Sequence, residues 1–330
     1  MMAKTTSTQL KSNKSKIAVV IPCYRETDHI LDVLAAMGPE ITSIFVVDDT
    51  CPDGTGEFVQ SNTKDKRIKV IRHEKNLGVG GATLTGYKAA LETDAEIIVK
   101  VDGDGQMDPA LIRTLVHPIQ AHEADYTKGN RLHRRGATKS MPFIRLLGNM
   151  GLTLMSKFSS GYWDIMDPTN GFTAIHRDAL KELPLDDIAY NFFFESDLLY
   201  HLLEIDAVVR DVPMRAKYGE ETSHLIVHHV FGLFLCGHIK NGWRRIVDTY
   251  FVRDFGIASV NLILGSLLML IGAVYGGFRW WQSISTGIPA TAGTAILSAM
   301  LIIVGTQLLL AFINHDIRRV PTQPIHEIDE

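Results

Sequence analysis

The chain has 330 residues, 46% of them hydrophobic and 21% charged, with a formal net charge of −4. That length accommodates one large domain and an appendage, and the net negative charge excludes a protein that grips nucleic acid through a general basic surface. Three cysteines, Cys23, Cys51 and Cys236, have no metal-ligand spacing and leave one over from any pairing, which reads as a reduced, cytosolic setting.

Residues 1–15 are polar and rich in Lys, Ser and Thr, with no apolar stretch; they read as a disordered tail rather than a signal peptide. Residues 16–213 alternate short β-branched runs with helix-like segments, the pattern of a mostly parallel sheet with crossover helices. The predicted strands are Ile17–Ile21, Ile44–Val47, Ile68–Ile71, Ile97–Val101, Tyr126–Lys128, Phe172–Ile175 and Val208–Val212. The predicted helices are His29–Met37, Gly80–Glu92, Ala110–Ala121 and Phe193–Glu204. In open α/β sheets ligands gather beyond the carboxyl ends of strands, and nearly every polar cluster of this chain falls at such an end.

After Val212 the pattern changes. Residues 225–254 mix apolar side chains with His228, His229, His238, Lys240, Trp243, Arg244 and Arg245, a composition suited to helices lying in the headgroup zone. Two long runs follow without Asp, Glu, Lys or Arg, one over 256–278 and one whose most apolar part is 291–313. Each matches the roughly 20 residues that cross a bilayer core, so 255–314 is predicted to be a transmembrane hairpin. Lys240, Arg244, Arg245 and Arg253 precede it and Arg318 and Arg319 follow it, whereas only Arg279 lies between the spans. This bias places both the domain at 16–224 and the tail at 315–330 in the cytoplasm, with a bacterial inner membrane as the expected location.

The most informative motif is Asp102-Gly103-Asp104, with Gln106 two residues on, where the apolar run at Ile97–Val101 ends. Two carboxylates at i and i+2 at a strand end can hold a hard divalent cation while leaving positions open for a diphosphate. Mg2+ or Mn2+ is therefore expected at Asp102, Asp104 and Gln106. Lys100, inside the buried strand, reads as a structural pairing residue.

Other motifs follow in a fixed order: Pro22-Cys23-Tyr24-Arg25-Glu26, Asp48-Asp49 with Asp53-Gly54-Thr55, and Asn76-Leu77-Gly78-Val79-Gly80-Gly81. Then come Gly129-Asn130-Arg131, Asp167-Pro168-Thr169-Asn170-Gly171-Phe172, Phe194-Glu195-Ser196-Asp197 and Val212-Pro213-Met214-Arg215-Ala216-Lys217-Tyr218-Gly219. Over 16–223 this order resembles the family 2 glycosyltransferases, in the branch of dolichol-phosphate-mannose synthases and bacterial polyprenyl-phosphate glycosyltransferases. The resemblance implies an A-type glycosyltransferase fold, an α/β domain whose mostly parallel sheet is flanked by helices. It also implies a nucleotide-diphosphate sugar bound by Pro22, Tyr24, Glu26, Asp49, Asp53, Gly78 and Asp102. Arg131 and Lys217 would meet the phosphate of a polyprenyl phosphate acceptor, and relatives with such a hairpin imply a homo-oligomer in the lipid bilayer. The chain departs from the mannose enzymes at Lys217-Tyr218-Gly219 and Ser223-His224, where those usually carry Arg before the Gly and then Ser-Lys. A lysine meets phosphate as a point charge without the bidentate fork.

Glu195 and Asp197 sit among Phe192, Phe193, Phe194 and Leu198, so a cleft position is expected for both. Asp102 and Asp104 with Arg131, Lys217, Glu195 and Asp197 form the predicted catalytic set for inverting transfer onto a polyprenyl phosphate. Two alternatives stand beside it. One is transfer to a hydroxyl of a glycan or glycolipid, with Asp197 or Glu195 as base. The other is an inactive, sugar-nucleotide-binding membrane subunit.

Overall fold

The computed structural model describes residues 15–131, 143–214 and 227–327; Lys217 and the segment around it, like the 1–14 tail, lie outside them. Seven strands form one sheet: β1 Ile17–Cys23, β2 Ile41–Asp48, β3 Ile68–Arg72, β4 Ile97–Lys100, β5 Tyr126–Asn130, β6 Thr173–His176 and β7 Val209–Pro213, in the order β3-β2-β1-β4-β6-β5-β7. All seven were legible as β-branched runs. The helices are α1 Ile30–Ala35, α2 Thr55–Asn62, α3 Gly78–Leu91, α4 Ile112–Gln120, α5 Phe143–Ser160, α6 Arg177–Glu182, α7 Phe194–Glu204, α8 Val227–Val247, α9 Ile257–Thr286 and α10 Ala292–Ile317. Helices α2, α5 and α6 are additions to the sequence reading.

Successive side chains of a strand point to opposite faces, so the sheet has two apolar layers. Ile17, Val19 and Ile21 of β1 pack with Ile30, Leu115 and Ile119 on one face. Ala18 and Val20 pack with Leu84, Tyr87, Leu198 and Leu202 on the other. Strands β3, β2, β1 and β4 run parallel. Because β2 and β4 flank β1 on opposite sides, the strand order reverses there, and a crevice opens beyond the carboxyl ends of β1 and β4. Strand β6 is antiparallel to both β4 and β5. Its start therefore lies at the edge where β4 and β5 end, with Lys100 opposite Thr173. This inversion carries the Asp167–Phe172 segment to the same edge as Asp102.

Two helices, Ile257–Thr286 and Ala292–Ile317, are long and apolar enough to cross a membrane, and only 22% and 17% of their apolar windows are buried. Core helices of a soluble domain would be mostly buried. They cross closely at small residues: a Cβ on Gly305 would stand 2.7 Å from the Met269 amide nitrogen, the close backbone approach typical of membrane helix pairs. The span read from the sequence ends at Phe278, and the helix runs past Arg279 to Thr286, where Gly287 at φ +71° caps it.

Helix α8 and a π-helical turn over Asp248–Arg253 precede the hairpin. Ile239 and Trp243 of α8 are 63% and 69% exposed. Arg245 departs from the expectation that basic groups here lie at the headgroups. It is buried and paired with Asp316 of α10 at 2.6 Å, and Trp163 Nε1 and the Tyr250 hydroxyl donate to the same carboxylate. Asn241 and Arg245, four residues apart, share the inward face of α8.

Beyond α10 the chain returns to the sheet edge opposite the crevice. The Ile325 amide and His326 Nδ1 bond the buried Asp125 carboxylate, and the His326 ring stacks on His176 at 4.1 Å. Burial, then the His326 charge, pushes His176 down from 6.5 to about 4, and burial does the same to His238. Between those values the unfolded chain binds protons that the folded chain refuses. The histidine contribution to stability is expected to be full above pH 6.5 and to be lost as pH drops towards 4. Thermal melts of the detergent-solubilised protein across that window check this, and His176→Asn should flatten part of the slope.

Candidate active site

The crevice is built by loops leaving β1, β2 and β4 and by the segment entering β6. After β1, Tyr24 is 45% exposed and Arg25 adopts φ +64°. The Arg25 amide donates to Cys51 Sγ at 3.0 Å and the Glu26 amide to Thr55 Oγ1 at 3.4 Å, which tie the β1 loop to the loop after β2. Pro22 is buried within β1. A Cβ on Gly103 would meet Glu26 Cγ at 3.1 Å, so the β1 loop lies directly against the acidic loop of β4.

Asp48 and Asp49 are both buried and both organise backbone. Asp48 accepts from the amides of Cys51 and Gly56 at 2.7 and 2.6 Å. Asp49 accepts from the amides of Leu77 and Gly78, each at 2.8 Å, and contacts His73 Nδ1 at 2.7 Å. Gly78 takes φ +85° there, and a Cβ would strike the Tyr190 carbonyl at 2.6 Å, so glycine is required. Asp49 thus joins the β2 end to the start of α3, and the exposed Asp53 lies in the same loop, ahead of α2.

Beyond β4, Asp104 and Gln106 occupy a partly exposed turn in which the Gln106 amide donates to Asp104 Oδ1 at 2.9 Å. Among the described residues no three His, Cys, Asp or Glu side chains converge as a closed metal cage. Asp102, Asp104 and Gln106 offer two carboxylates and an amide oxygen, hard donors of the kind that suit Mg2+ or Mn2+.

Asp102 is linked inward. Lys100 Nζ lies 2.6 Å from Asp102 Oδ1 and 3.2 Å from Glu195 Oε1 of α7. Burial opposes the Lys100 charge, but Asp102 and Glu195 outweigh it and hold the ammonium above its ordinary range. A Cβ on Gly171 would fall 2.4 Å from Asp102 Oδ2 and 2.5 Å from Lys100 Nζ, so a side chain there would have to displace the Lys100–Asp102 pair. Lys100 is the pairing residue that the sequence suggested.

Glu195 and Asp197 do not act together. Two residues on a helix are about 200° apart, so Glu195 reaches the β4 end while Asp197 turns away. Asp197 accepts from the Ala189 amide at 2.7 Å and from Asn241 Nδ2 of α8 at 2.6 Å.

On the other side of the crevice, Arg131 follows β5 and forks onto Asp167, with Nε at 2.8 Å and Nη2 at 3.1 Å. Beneath it lie two charged residues that the sequence reading passed over. Lys128 is fully buried, donates to the Asn170 carbonyl, and is pushed down to about 8 by burial. Asp211 is pushed up to about 6 by burial and accepts from Asn130 Nδ2 and the Met166 amide at 2.8 and 2.9 Å. The signal available for both was a charge within a predicted strand.

The geometry can be set against known proteins. The model of the family described as "Glycosyl transferase family 2" matches residues 18–184. The chain belongs to this family. A UDP-N-acetylglucosamine–dolichyl-phosphate N-acetylglucosaminyltransferase of Methanococcus voltae is 30% identical over 218 residues, 62% of this chain and 86% of the relative. A dolichol-phosphate mannosyltransferase of Pyrococcus furiosus is 29% identical over 284 residues, 83% of this chain and 74% of the relative. Glucosyl-3-phosphoglycerate synthase of Mycobacterium tuberculosis, solved with UDP, superposes with a TM-score of 0.54 at 18% identity, over 70% of this chain and 81% of that one. That likeness gives the glycosyltransferase its A-type fold. The same synthase is also solved with Mn2+, UDP and its product, at a TM-score of 0.52.

Proposed function

We propose that this glycosyltransferase moves one sugar, with inversion, from a nucleotide-diphosphate donor to a polyprenyl phosphate (undecaprenyl or dolichyl) at the cytoplasmic membrane face. The observation that carries this reading is the pairing of two half-sites on one sheet edge: the acidic turn at Asp102–Gln106, and the Arg131 fork on the far side of β6. The chain also holds two membrane-length helices, and its relatives in Methanococcus voltae and Pyrococcus furiosus are named for dolichyl-phosphate acceptors.

On the donor side, the β1 and β2 loops around Tyr24, Glu26 and Asp53 flank the nucleotide, with Asp49 and Gly78 shaping the floor. Asp104 and Gln106, with Asp102, would hold Mg2+ or Mn2+, which supplies Lewis-acid neutralisation of the leaving diphosphate. On the acceptor side, Arg131 offers a planar fork to phosphate oxygens, and Lys217 joins as a point charge. Asp167 keeps that fork oriented until the acceptor arrives. A phosphate monoester has a second pKa of about 6, so the nucleophile is already anionic at neutral pH. One direct displacement at the anomeric carbon then inverts it, and no protein base is required. The internal bonds of Asp197 and the Lys100 pairing of Glu195 agree with this, since neither carboxylate is poised to take a hydroxyl proton.

The decisive experiment screens the purified protein against a panel of sugar nucleotides, with and without undecaprenyl phosphate. Acceptor-dependent nucleotide release is expected from one of them. Release that depends on a glycan hydroxyl instead, or no turnover at all, overturns the proposal. Topology gives a second test. In sealed vesicles, labels at Ser12 and Asp329 should both be reached from the cytoplasmic side; opposite sides would mean that only one helix crosses.

A further inference from the structure

Lys100 is a charged residue that touches neither proposed substrate. Its Nζ bonds Asp102 Oδ1 at 2.6 Å, Glu195 Oε1 at 3.2 Å and the Gly171 carbonyl at 3.4 Å. Side-chain exposure rises outward, from 1% at Lys100 to 11% at Glu195 and 29% at Asp102. One internal cation is thus shared between a carboxylate of the metal turn and a carboxylate of α7. A Cβ on Gly171 would fall 2.4 Å from the other Asp102 oxygen, so this backbone runs close beside the carboxylate.

We propose that Lys100 is a positioning residue that sets the divalent-cation affinity of the Asp102–Gln106 turn, and that Glu195 adjusts it by drawing off part of the Lys100 charge. The inference rests on the metal-assisted transfer proposed above. A cation in that turn interacts with an Asp102 carboxylate already partly neutralised from behind, and affinity at such sites follows the charge of the ligands. The turn alone would hold a cation weakly, and more tightly once a diphosphate adds its own charge.

The test is a Mn2+ titration of the detergent-solubilised full-length protein at pH 8, followed by the electron paramagnetic resonance signal of free Mn2+. It is run with Mn2+ alone, with UDP and with GDP. Removing a unit charge at this range should move Mn2+ affinity by about 5- to 10-fold. Lys100→Met should tighten Mn2+ by that factor and Glu195→Gln should weaken it, while the double variant K100M/E195Q returns towards wild type. A merely structural Lys100 predicts that both single variants weaken Mn2+ and that the double is no better. If Lys100→Met does not fold, Glu195→Gln can still overturn the inference: unchanged or tighter Mn2+ binding does so. Wild-type protein that binds no Mn2+ in any of the three conditions overturns the metal-assisted reading itself, and this inference with it. Wild-type binding that Asp104→Ala abolishes, but that neither Lys100→Met nor Glu195→Gln moves, overturns only the role of Lys100.

Discussion

Asp104→Ala is expected to lower sugar transfer by more than about 100-fold, beyond the 10- to 100-fold typical of losing a group that only supports a metal ligand. Asp104 lies in a partly exposed turn after β4, where it accepts from the Gln106 amide two residues on. Losing that turn bond costs about 0.5–1.5 kcal/mol, too little to unfold a domain with two apolar layers. The variant should therefore melt close to wild type, yet lose metal-dependent nucleotide binding, because Asp102 is already engaged by Lys100 and cannot substitute. Steady-state transfer with Mg2+ and with Mn2+, beside a thermal melt, checks both halves. Near-wild-type transfer in either metal would remove the central claim.

The second large effect separates the acceptors. Arg131→Ala should damage transfer far more than Asp197→Asn. Removing Arg131 takes a bidentate partner from a dianionic acceptor and also leaves Asp167, whose side chain is 6% exposed, without its guanidinium. Truncating a buried, hydrogen-bonded charge partner costs about 2–5 kcal/mol. Arg131→Lys should recover only part of this, because the fork is lost. Asp197→Asn has a different consequence. Asp197 accepts from the Ala189 amide and from Asn241; an asparagine keeps one acceptor, and the Asn241 amide can turn to present its oxygen to the new NH2. The result is a modest stability loss with transfer largely retained. If a hydroxyl were the acceptor and Asp197 its base, the order would reverse, since losing a general base costs about 10²–10⁴-fold. Transfer rates of the two variants at saturating sugar nucleotide, with acceptor varied, decide the matter. A much larger turnover loss for Asp197→Asn would sink the polyprenyl-phosphate reading.

All seven strands, the acidic turn and the two apolar helices could be read from the amino-acid sequence. Each is a local pattern: β-branched runs closed by turn residues, carboxylates at a strand end, and long segments without charge. The ordered motifs from Pro22 to Gly219 were enough to indicate the family. Contacts between distant segments were not legible. Whether β6 would run antiparallel, and so bring Gly171 against Asp102, depends on how strands pair rather than on what each contains. Glu195 and Asp197 look equivalent two residues apart, but helix geometry sends one to Lys100 and the other to Asn241. Arg245 resembled a headgroup-facing cation until α10 supplied Asp316 as a buried partner. Lys128 and Asp211 carried no motif at all. Their shifted pKa values come chiefly from the burial that the folded sheet imposes. Sequence by itself therefore determined the strands, the apolar helices and the chemistry present at the strand ends. Tertiary structure alone decided which charges meet, because pairing energies depend on distances that close only when segments far apart in the chain pack together.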